Sequence, residues 1–113
     1  MQDVIQELMN DLQNIAQRYQ NVRAGRTYDF YEEIQPFVQK VDTDIHALNP
    51  HLDSIIKNKY FTMRKIIRMQ SIISELAVNC HQARTSKAIF FSQFKVVQHD
   101  LKGMINIARD LHV

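Results

Sequence analysis

Apolar residues recur along this chain at intervals of three and four positions, and no stretch alternates steadily between apolar and polar residues. The first apolar stripe consists of Ile5, Leu8, Leu12, Ile15, Tyr19 and Val22. Such spacing keeps side chains on one face of an α-helix, whereas a half-buried strand requires alternation. The pattern therefore predicts an all-α fold, with a first helix over about residues 3–24 that ends at a Gly25 cap.

The second stripe is longer and includes both prolines of the chain. Its apolar members are Tyr31, Ile34, Val38, Val41, Ile45, Leu48, Leu52 and Ile55. Because the stripe stays in register through Asn49-Pro50, we predict one bent helix over about residues 29–57, and a new helix beginning at that dipeptide is the alternative. Thr27 or Asp29 is the predicted cap. Pro36 lacks an N–H group inside the helix, so we predict a kink there.

Two further stripes complete the pattern. The third contains Ile66, Met69, Ile73, Leu76, Cys80 and Ala83, and the fourth contains Phe90, Phe94, Val97, Leu101, Met104, Ala108 and Leu111. They predict helices over about residues 63–83 and 87–111, capped by Thr62 and Ser86. Short loops between helices of about 30 Å force antiparallel neighbours. The sequence thus predicts a single domain over residues 1–113, an up-down-up-down four-helix bundle.

Composition narrows the cellular location. The chain shows neither the basic start and apolar run of a signal peptide nor any apolar stretch long enough to cross a membrane. Its one cysteine, Cys80, has no partner for an internal disulfide, which fits a reducing compartment. We therefore expect a cytoplasmic protein without membrane association.

Charge is distributed unevenly along the chain. The net charge is +2, but residues 1–53 carry about −5 and residues 54–113 about +7. The densest basic stretch, here called the basic corner, comprises Lys57, Lys59, Arg64, Lys65 and Arg68. With Tyr60 and Phe61 available to stack on a base, it is a candidate surface for nucleic acid or another polyanion. A solvated corner is the simpler interpretation, and the low total charge leads us to expect no strong nucleic-acid binding.

Sequence motifs for catalysis or metal binding are absent. The five histidines, His46, His51, His81, His99 and His112, contain no i, i+4 pair, and no Glu-x-x-His motif occurs. The inward stripes carry no carboxylate, so we expect no metal site. Cys80 is expected to be buried, with His81 turned about 100° away on the same helix, beyond the reach of a catalytic pair. Without a glycine-rich phosphate loop, we expect no cofactor and no enzyme activity; a site assembled from distant residues is the alternative.

Aromatic residues cluster around Pro36. They are Tyr28, Phe30, Tyr31 and Phe37. Since a helix has one buried stripe, some of these rings should be exposed. Together with Tyr60, they form a candidate surface for an unknown protein partner or for self-association; packing in the core and corners is the alternative.

The segment Tyr28–Val38, YDFYEEIQPFV, resembles the Tyr-Asp-Phe-Phe…Ile-x-Pro segment of the YppE-like family of small bacterial proteins of unknown function. Lys59-Tyr60 and the stripe that follows resemble that family's Pro-Lys-Tyr corner, although Asn58 stands where the family has proline. The resemblance implies a four-helix bundle in the cytoplasm of Gram-positive bacteria, with no activity, cofactor or catalytic residue to carry over. Because the sequence shows no arrangement of residues for catalysis, while its aromatic and charged surfaces have no assigned role, we expect a non-catalytic protein-interaction or structural module.

Overall fold

The computed structural model describes residues 1–111, and its regular elements are all helical. They are α1 (Gln2–Arg23), a π-helical turn (Phe30–Ile34), α2 (Gln35–Ala47), a 3-10 turn (Asn49–His51), α3 (Leu52–Ile56), α4 (Met63–Asn79) and α5 (Lys87–Leu111). The all-α prediction is confirmed. His112 and the side chain of Leu111 lie outside the described part of the chain. Among the residues described, no helix combines the length and the low polarity that crossing a bilayer requires.

The end of α1 follows from a glycine. The amides of Gly25 and Arg26 donate to the carbonyls of Val22 and Asn21, each at 3.0 Å. This closing motif needs a left-handed residue, and Gly25 has a φ of 108°, which would strain any side chain. The chain then reverses, and Asn21 Nδ2 donates to the hydroxyl oxygen of Tyr28 at 3.0 Å. Gly25 thereby sets the path that returns Tyr28 to α1.

The predicted second helix, residues 29–57, is a helical path whose winding changes at two joints. A π turn gives way to α2 beside Pro36, and α2 gives way to a 3-10 turn at Pro50 and then to α3. Leu48 and His51, at the second joint, keep right-handed helical angles. The path is therefore continuous, but it is not one regular α-helix, because each proline removes a backbone donor.

The π turn also corrects the predicted buried face. The amide of Ile34 donates to the carbonyl of Asp29, five residues earlier, at 2.9 Å. Such a turn adds one residue to the helical register. Consequently Tyr31, predicted in the buried stripe, is 77% exposed, whereas Phe37 is buried. Pro36 itself follows the turn, so the predicted irregularity takes the form of a widened turn before the proline ring.

One hydrophobic core runs through the bundle. Its fully buried large side chains include Ile5, Leu8, Leu12, Ile15, Tyr19, Leu48, Ile55, Ile66, Met69, Ile73, Leu76 and Phe90. α1 packs against α2 and α5, and α4 packs against α2 and α5. Tyr19 stacks on Phe90 with ring centroids 3.9 Å apart. Burial of this apolar surface is the main favourable contribution to folding.

The third helix ends earlier than predicted. α4 stops at Asn79 rather than near residue 83, and Ala83, predicted in the stripe, is exposed. The amides of His81 and Gln82 bond to carbonyls only three residues back, and the Thr85 hydroxyl donates to the carbonyl of Asn79 at 3.0 Å. Tight turns and this side-chain bond replace the last predicted helical turn.

Two carboxylates lie in the interior, contrary to the prediction that the inward faces carry none. Asp11 is 0% exposed and Asp100 is 3% exposed. Each precedes a leucine of an apolar stripe, and each meets a lysine from another helix. Asp11 Oδ1 lies 2.8 Å from Lys40 Nζ, and Asp100 Oδ1 lies 3.8 Å from Lys65 Nζ. These lysines satisfy part of the charge that burial would otherwise leave unpaired.

Candidate functional site

The half-buried guanidinium of Arg18, on α1, lies between two aromatic rings. Its central carbon is 4.1 Å from the ring centroid of Phe37 and 4.7 Å from that of Tyr28. Arg18 Nη1 donates to the carbonyl of Glu33 at 3.3 Å and lies 2.9 Å from His81 Nε2. Stacking and hydrogen bonds therefore fix this cation in one orientation.

A second arginine stands at the same place. The guanidinium carbon of Arg26 is 4.2 Å from the Tyr28 ring centroid, and its Nη2 is 2.9 Å from Glu33 Oε2. The other oxygen of Glu33 accepts from the amide of Asp29 at 3.2 Å. The backbone amide of Asp29, followed by Arg26, holds the pKa of the Glu33 carboxyl below its usual range. Glu33 is therefore ionised at neutral pH and holds Arg26 beside the ring.

His81 joins this site although the sequence analysis left it out. Its ring lies edge-on to Tyr28 at 5.1 Å and to Phe37 at 5.7 Å. Burial, followed by the charge of Arg18, lowers its pKa, so the ring is neutral at pH 7. Since arginine has no acceptor, Nε2 accepts from Arg18 and the ring proton resides on Nδ1. His81 is thus a support for Arg18.

Cys80 and His81 are closer than predicted. Because the helix ends before them, the expected 100° separation does not apply, and Cys80 Sγ lies 3.5 Å from His81 Nδ1. The thiol is buried, and desolvation raises its pKa to about 12. His81 Nδ1 carries the proton and cannot accept another from the thiol. The pair is near in space but lacks the activated thiolate of a nucleophilic site.

The two arginines open onto a cleft of about 340 Å³. Its wall consists of Asn14, Gln17, Arg18, Asn21, Arg26, Tyr28 and Phe37, and we call it the arginine cleft. Gln17 Nε2 donates to Asn21 Oδ1, and Asn21 Nδ2 donates to Tyr28 Oη, each at 3.0 Å. This chain of amides orients the tyrosine hydroxyl at the rim. The cleft therefore presents fixed donors and two cations to solvent.

The predicted aromatic surface is divided by the structure. Tyr28 and Phe37 belong to the arginine cleft, and Phe30 and Tyr31 lie on the adjoining π turn. Phe30 is 57% exposed and Tyr31 is 77% exposed, with their rings edge-on at 5.1 Å. Tyr60 is 81% exposed but lines a different depression. Four of the five aromatic residues are thus brought to one end of the molecule.

The basic corner surrounds the start of α4. Four of its cations, Lys57, Lys59, Arg64 and Arg68, are exposed. Lys65 is half-buried; its Nζ lies 3.8 Å from Asp100 and 5.0 Å from the Phe61 ring centroid. Phe61 is buried against Gly103, where an added Cβ would come within 3.1 Å of the ring. Of the two rings expected to stack on a base, only that of Tyr60 is accessible.

A third polar cluster joins α1 and α2. Lys40 Nζ lies 2.7 Å from Glu7, 2.8 Å from Asp11 and 2.8 Å from Asp44. The three carboxylates converge closely enough that they could share one metal ion, which the sequence analysis did not foresee. The only signals are Glu7 and Asp11 one turn apart on α1, and Lys40 and Asp44 one turn apart on α2.

The protonation states of this cluster follow from burial and from the short distances between its charged side chains. Burial, followed by the neighbouring carboxylate of Asp44, raises the pKa of Asp11 to about 7. Burial also acts to raise the pKa of Asp44, but its side-chain interactions with Asp11 and Lys40 outweigh this effect and the pKa is lowered. For Lys40, burial is outweighed by its carboxylate partners, and the pKa is raised. The ammonium group occupies the position where the three carboxylates converge.

Residues 5–107 match a family described as a bacterial domain of unknown function, DUF1798. This chain belongs to the DUF1798 family. A DUF1798 protein from Staphylococcus aureus, MW1337, is similar to it in crystal structure, with 30% sequence identity and a TM-score of 0.89 over 94% of this chain and 93% of that one. YppE from Bacillus subtilis has 21% identity and a TM-score of 0.87, covering 99% and 95% of the two chains. A Listeria innocua protein of unknown function has 15% identity and a TM-score of 0.84, covering 99% and 94%.

Membership of DUF1798 confirms the resemblance to the YppE-like family and the helical-bundle fold. No curated protein matches the chain. The Staphylococcus aureus and Listeria innocua proteins are themselves described as being of unknown function.

Proposed function

We propose that this protein is a non-catalytic interaction module that binds a protein partner through the end carrying the arginine cleft, Phe30 and Tyr31. One observation carries the proposal. The half-buried cation of Arg18 has no carboxylate within 4 Å among the described residues, and the adjoining π turn carries two rings that are more than half exposed, Phe30 and Tyr31. Arginine and aromatic side chains dominate the binding energy of protein interfaces.

The exposed ring pair supports this assignment on energetic grounds. Phe30 and Tyr31 contact each other edge-on, yet both remain largely in water. Covering such rings with apolar partner surface gains roughly 25 cal/mol for each square ångström removed from water. Their position on a turn fixed by the Asp29 cap means that little conformational freedom is lost on binding.

The non-catalytic part of the proposal has its own support. The Cys80 thiol, the strongest nucleophile in the chain by type, is buried with a pKa of about 12. Its neighbour His81 is engaged with Arg18 and is kept neutral. We also propose a cytoplasmic location, which is supported by a single cysteine that has no partner for an internal disulfide.

The test is affinity purification of the tagged protein from its native cell, followed by mass spectrometry. We expect at least one partner to be retained by the parent and lost from the Phe30→Ser/Tyr31→Ser variant. Ile67→Ser is the matched control, since Ile67 is 56% exposed on α4 and lies outside this surface. A partner set unchanged by the double substitution would contradict the proposal; a dimer that it dissociates would identify a second copy as the partner.

A second candidate function is polyanion binding at the basic corner. Of its five cations, only Lys65 lies within 4 Å of a carboxylate among the described residues. The remaining four are free to attract phosphates.

A further inference from the structure

We propose that the arginine cleft binds a single carboxylate, that of an acidic residue on the partner segment. The inference rests on the proposed function and specifies the chemistry of the partner. It is drawn from the donors that the cleft leaves free, from its charge and from the rigidity of Arg18.

The free hydrogen-bonding groups of the cleft's rim are predominantly donors. Arg18 makes its two hydrogen bonds through Nη1 alone, which leaves its Nε and Nη2 hydrogens without partners among the described residues. Arg26 bonds to Glu33 through Nη2 only. The oxygen of Tyr28 accepts from Asn21, and its own O–H has no acceptor in the described part of the chain. A rim of this kind is complemented by a group rich in acceptors.

The charge of the cleft selects a monoanion. Arg18 and Arg26 supply two positive charges, Glu33 removes one, and the neighbouring His81 is neutral. One positive charge is therefore left over. The single negative charge of a carboxylate balances this positive charge, whereas the two negative charges of a phosphate group would exceed it. The planar fork of a guanidinium also matches both oxygens of one carboxylate.

Preorganisation of the Arg18 side chain strengthens its binding of a carboxylate. The stacking of Arg18 on Phe37 and Tyr28 restricts its side chain before any partner arrives. Rigid donors lose less entropy on binding than mobile ones. Phe30 and Tyr31, next to the cleft in the chain, are placed to cover apolar residues that flank the acidic one.

The experiment is an NMR titration of the full chain, observing the Nε–Hε signals of the arginines. The first probe is acetyl-Leu-Glu-Leu-amide, and acetyl-Leu-Gln-Leu-amide is its neutral counterpart. We expect the glutamate peptide to shift the Arg18 and Arg26 signals saturably and the glutamine peptide to bind at least tenfold more weakly. Acetyl-Leu-Leu-Leu with a free end tests a chain-terminal carboxylate, and inorganic phosphate tests the competing anion.

Two variants separate the cleft from general charge. Tyr28→Phe removes only the hydroxyl, and we expect it to weaken binding of the glutamate peptide about three- to tenfold. Arg109→Gln, at an exposed position of α5, removes one positive charge elsewhere and should leave binding unchanged. Weakening by Arg109→Gln as large as that by Tyr28→Phe would assign the binding to net charge, and an unchanged affinity in Tyr28→Phe would place the peptide outside the cleft; either result overturns the proposal.

The outcomes distinguish this inference from the proposed function. If phosphate binds more tightly than the glutamate peptide, or if no probe produces saturable shifts at millimolar concentration, the carboxylate assignment is wrong. If the peptide with a free chain end binds more tightly than the glutamate peptide, the bound carboxylate is the C-terminus of a partner. That result would overturn the proposal that an acidic side chain binds. Partner capture that depends on Phe30 and Tyr31 can persist in each case. Conversely, if the cleft binds the glutamate peptide but partner capture does not depend on Phe30 and Tyr31, only the proposed function is wrong.

Discussion

At the scale of single residues, the buried polar groups are the ones whose protonation affects the stability of the fold. Asp11 is fully buried, and one of its oxygens, Oδ2, has no hydrogen-bond partner among the described residues. Its contact with Lys40 compensates only part of the cost of burying a charge. The result is a carboxyl group that holds its proton up to about pH 7.

This raised pKa makes stability depend on pH. Between the ordinary pKa of 3.8 and the folded value of about 7, the folded state holds a proton that the unfolded chain has released. The resulting stabilisation is complete below pH 3.8 and is lost as pH rises through 7. We predict that Asp11→Asn reduces the fall in unfolding free energy between pH 5 and pH 8 by on the order of 1–3 kcal/mol. Urea unfolding at the two pH values measures this.

The control for that prediction is Asp3→Asn, which alters an exposed carboxylate on the same helix. Asp3→Asn should leave the difference in unfolding free energy between pH 5 and pH 8 as it is in the parent. The contribution of His81 to that difference is the same in both proteins. If both variants show the parental difference, Asp11 is ionised throughout this range and the predicted protonation is wrong.

At the scale of helices, buried stripes decide which substitutions the fold tolerates. Ile73 on α4 and Leu101 on α5 are both 0% exposed. We predict that Ile73→Asp or Leu101→Asp unfolds the protein, since an unpaired buried charge costs several kcal/mol in a domain stable by about 5–15 kcal/mol. Thermal melts followed by circular dichroism measure the effect.

Ile67→Asp is the matched control, because Ile67 lies on α4 but is 56% exposed. It should melt within a few degrees of the parent. Comparable melting of Ile73→Asp and Ile67→Asp would show that the assigned inward face of α4 is wrong.

The π turn gives Pro36 a milder role than that of a proline in a helix interior. Pro36 is the second residue of α2, where a missing N–H is tolerated. We predict that Pro36→Ala changes the unfolding free energy by less than about 1 kcal/mol, toward stabilisation, since one backbone donor is restored. Urea unfolding beside the exposed neighbour variant Gln35→Ala is the measurement. A loss above about 2 kcal/mol would mean that the proline is required for the π turn.

At the scale of the whole molecule, the uneven charge of the sequence is not matched by a strong field of one sign. The net charge is only +2. The acidic half contributes α1 and α2, which pack directly against the basic α5 and α4. Opposite charges therefore lie around one bundle, and long-range attraction of a polyanion is weak.

We predict that the parent protein shows no binding of a labelled single-stranded oligonucleotide in low salt, measured by fluorescence anisotropy. If binding occurs at the basic corner, up to five phosphate contacts would give a log–log salt slope of roughly −3.5 to −4.5. Replacing all five cations of the corner by Gln should then abolish it. The matched control replaces five exposed cations elsewhere, Arg84, Lys87, Lys95, Lys102 and Arg109, by Gln. Binding lost only from the corner variant would establish the polyanion function.

The sequence by itself determined the helices and most of the core. Thr62 caps α4 as predicted, accepting from the amide of Lys65 at 3.2 Å, and Gly25 closes α1. The stripe residues Ile73 and Leu101 are fully buried. These features depend on residues within one or two helical turns, so the order of the amino acids is enough to specify them.

Only the tertiary structure decided which polar side chains meet. Arg18 contacts His81 across 63 positions of sequence, and Lys40 contacts Asp11 across 29. No local pattern marks such pairs, because they depend on how the helices pack and where each one ends. The early end of α4 places His81 beneath Arg18, and the π turn leaves Tyr31 in water. Periodicity thus fixed the buried faces of α1, α4 and α5, while packing between helices created the arginine cleft.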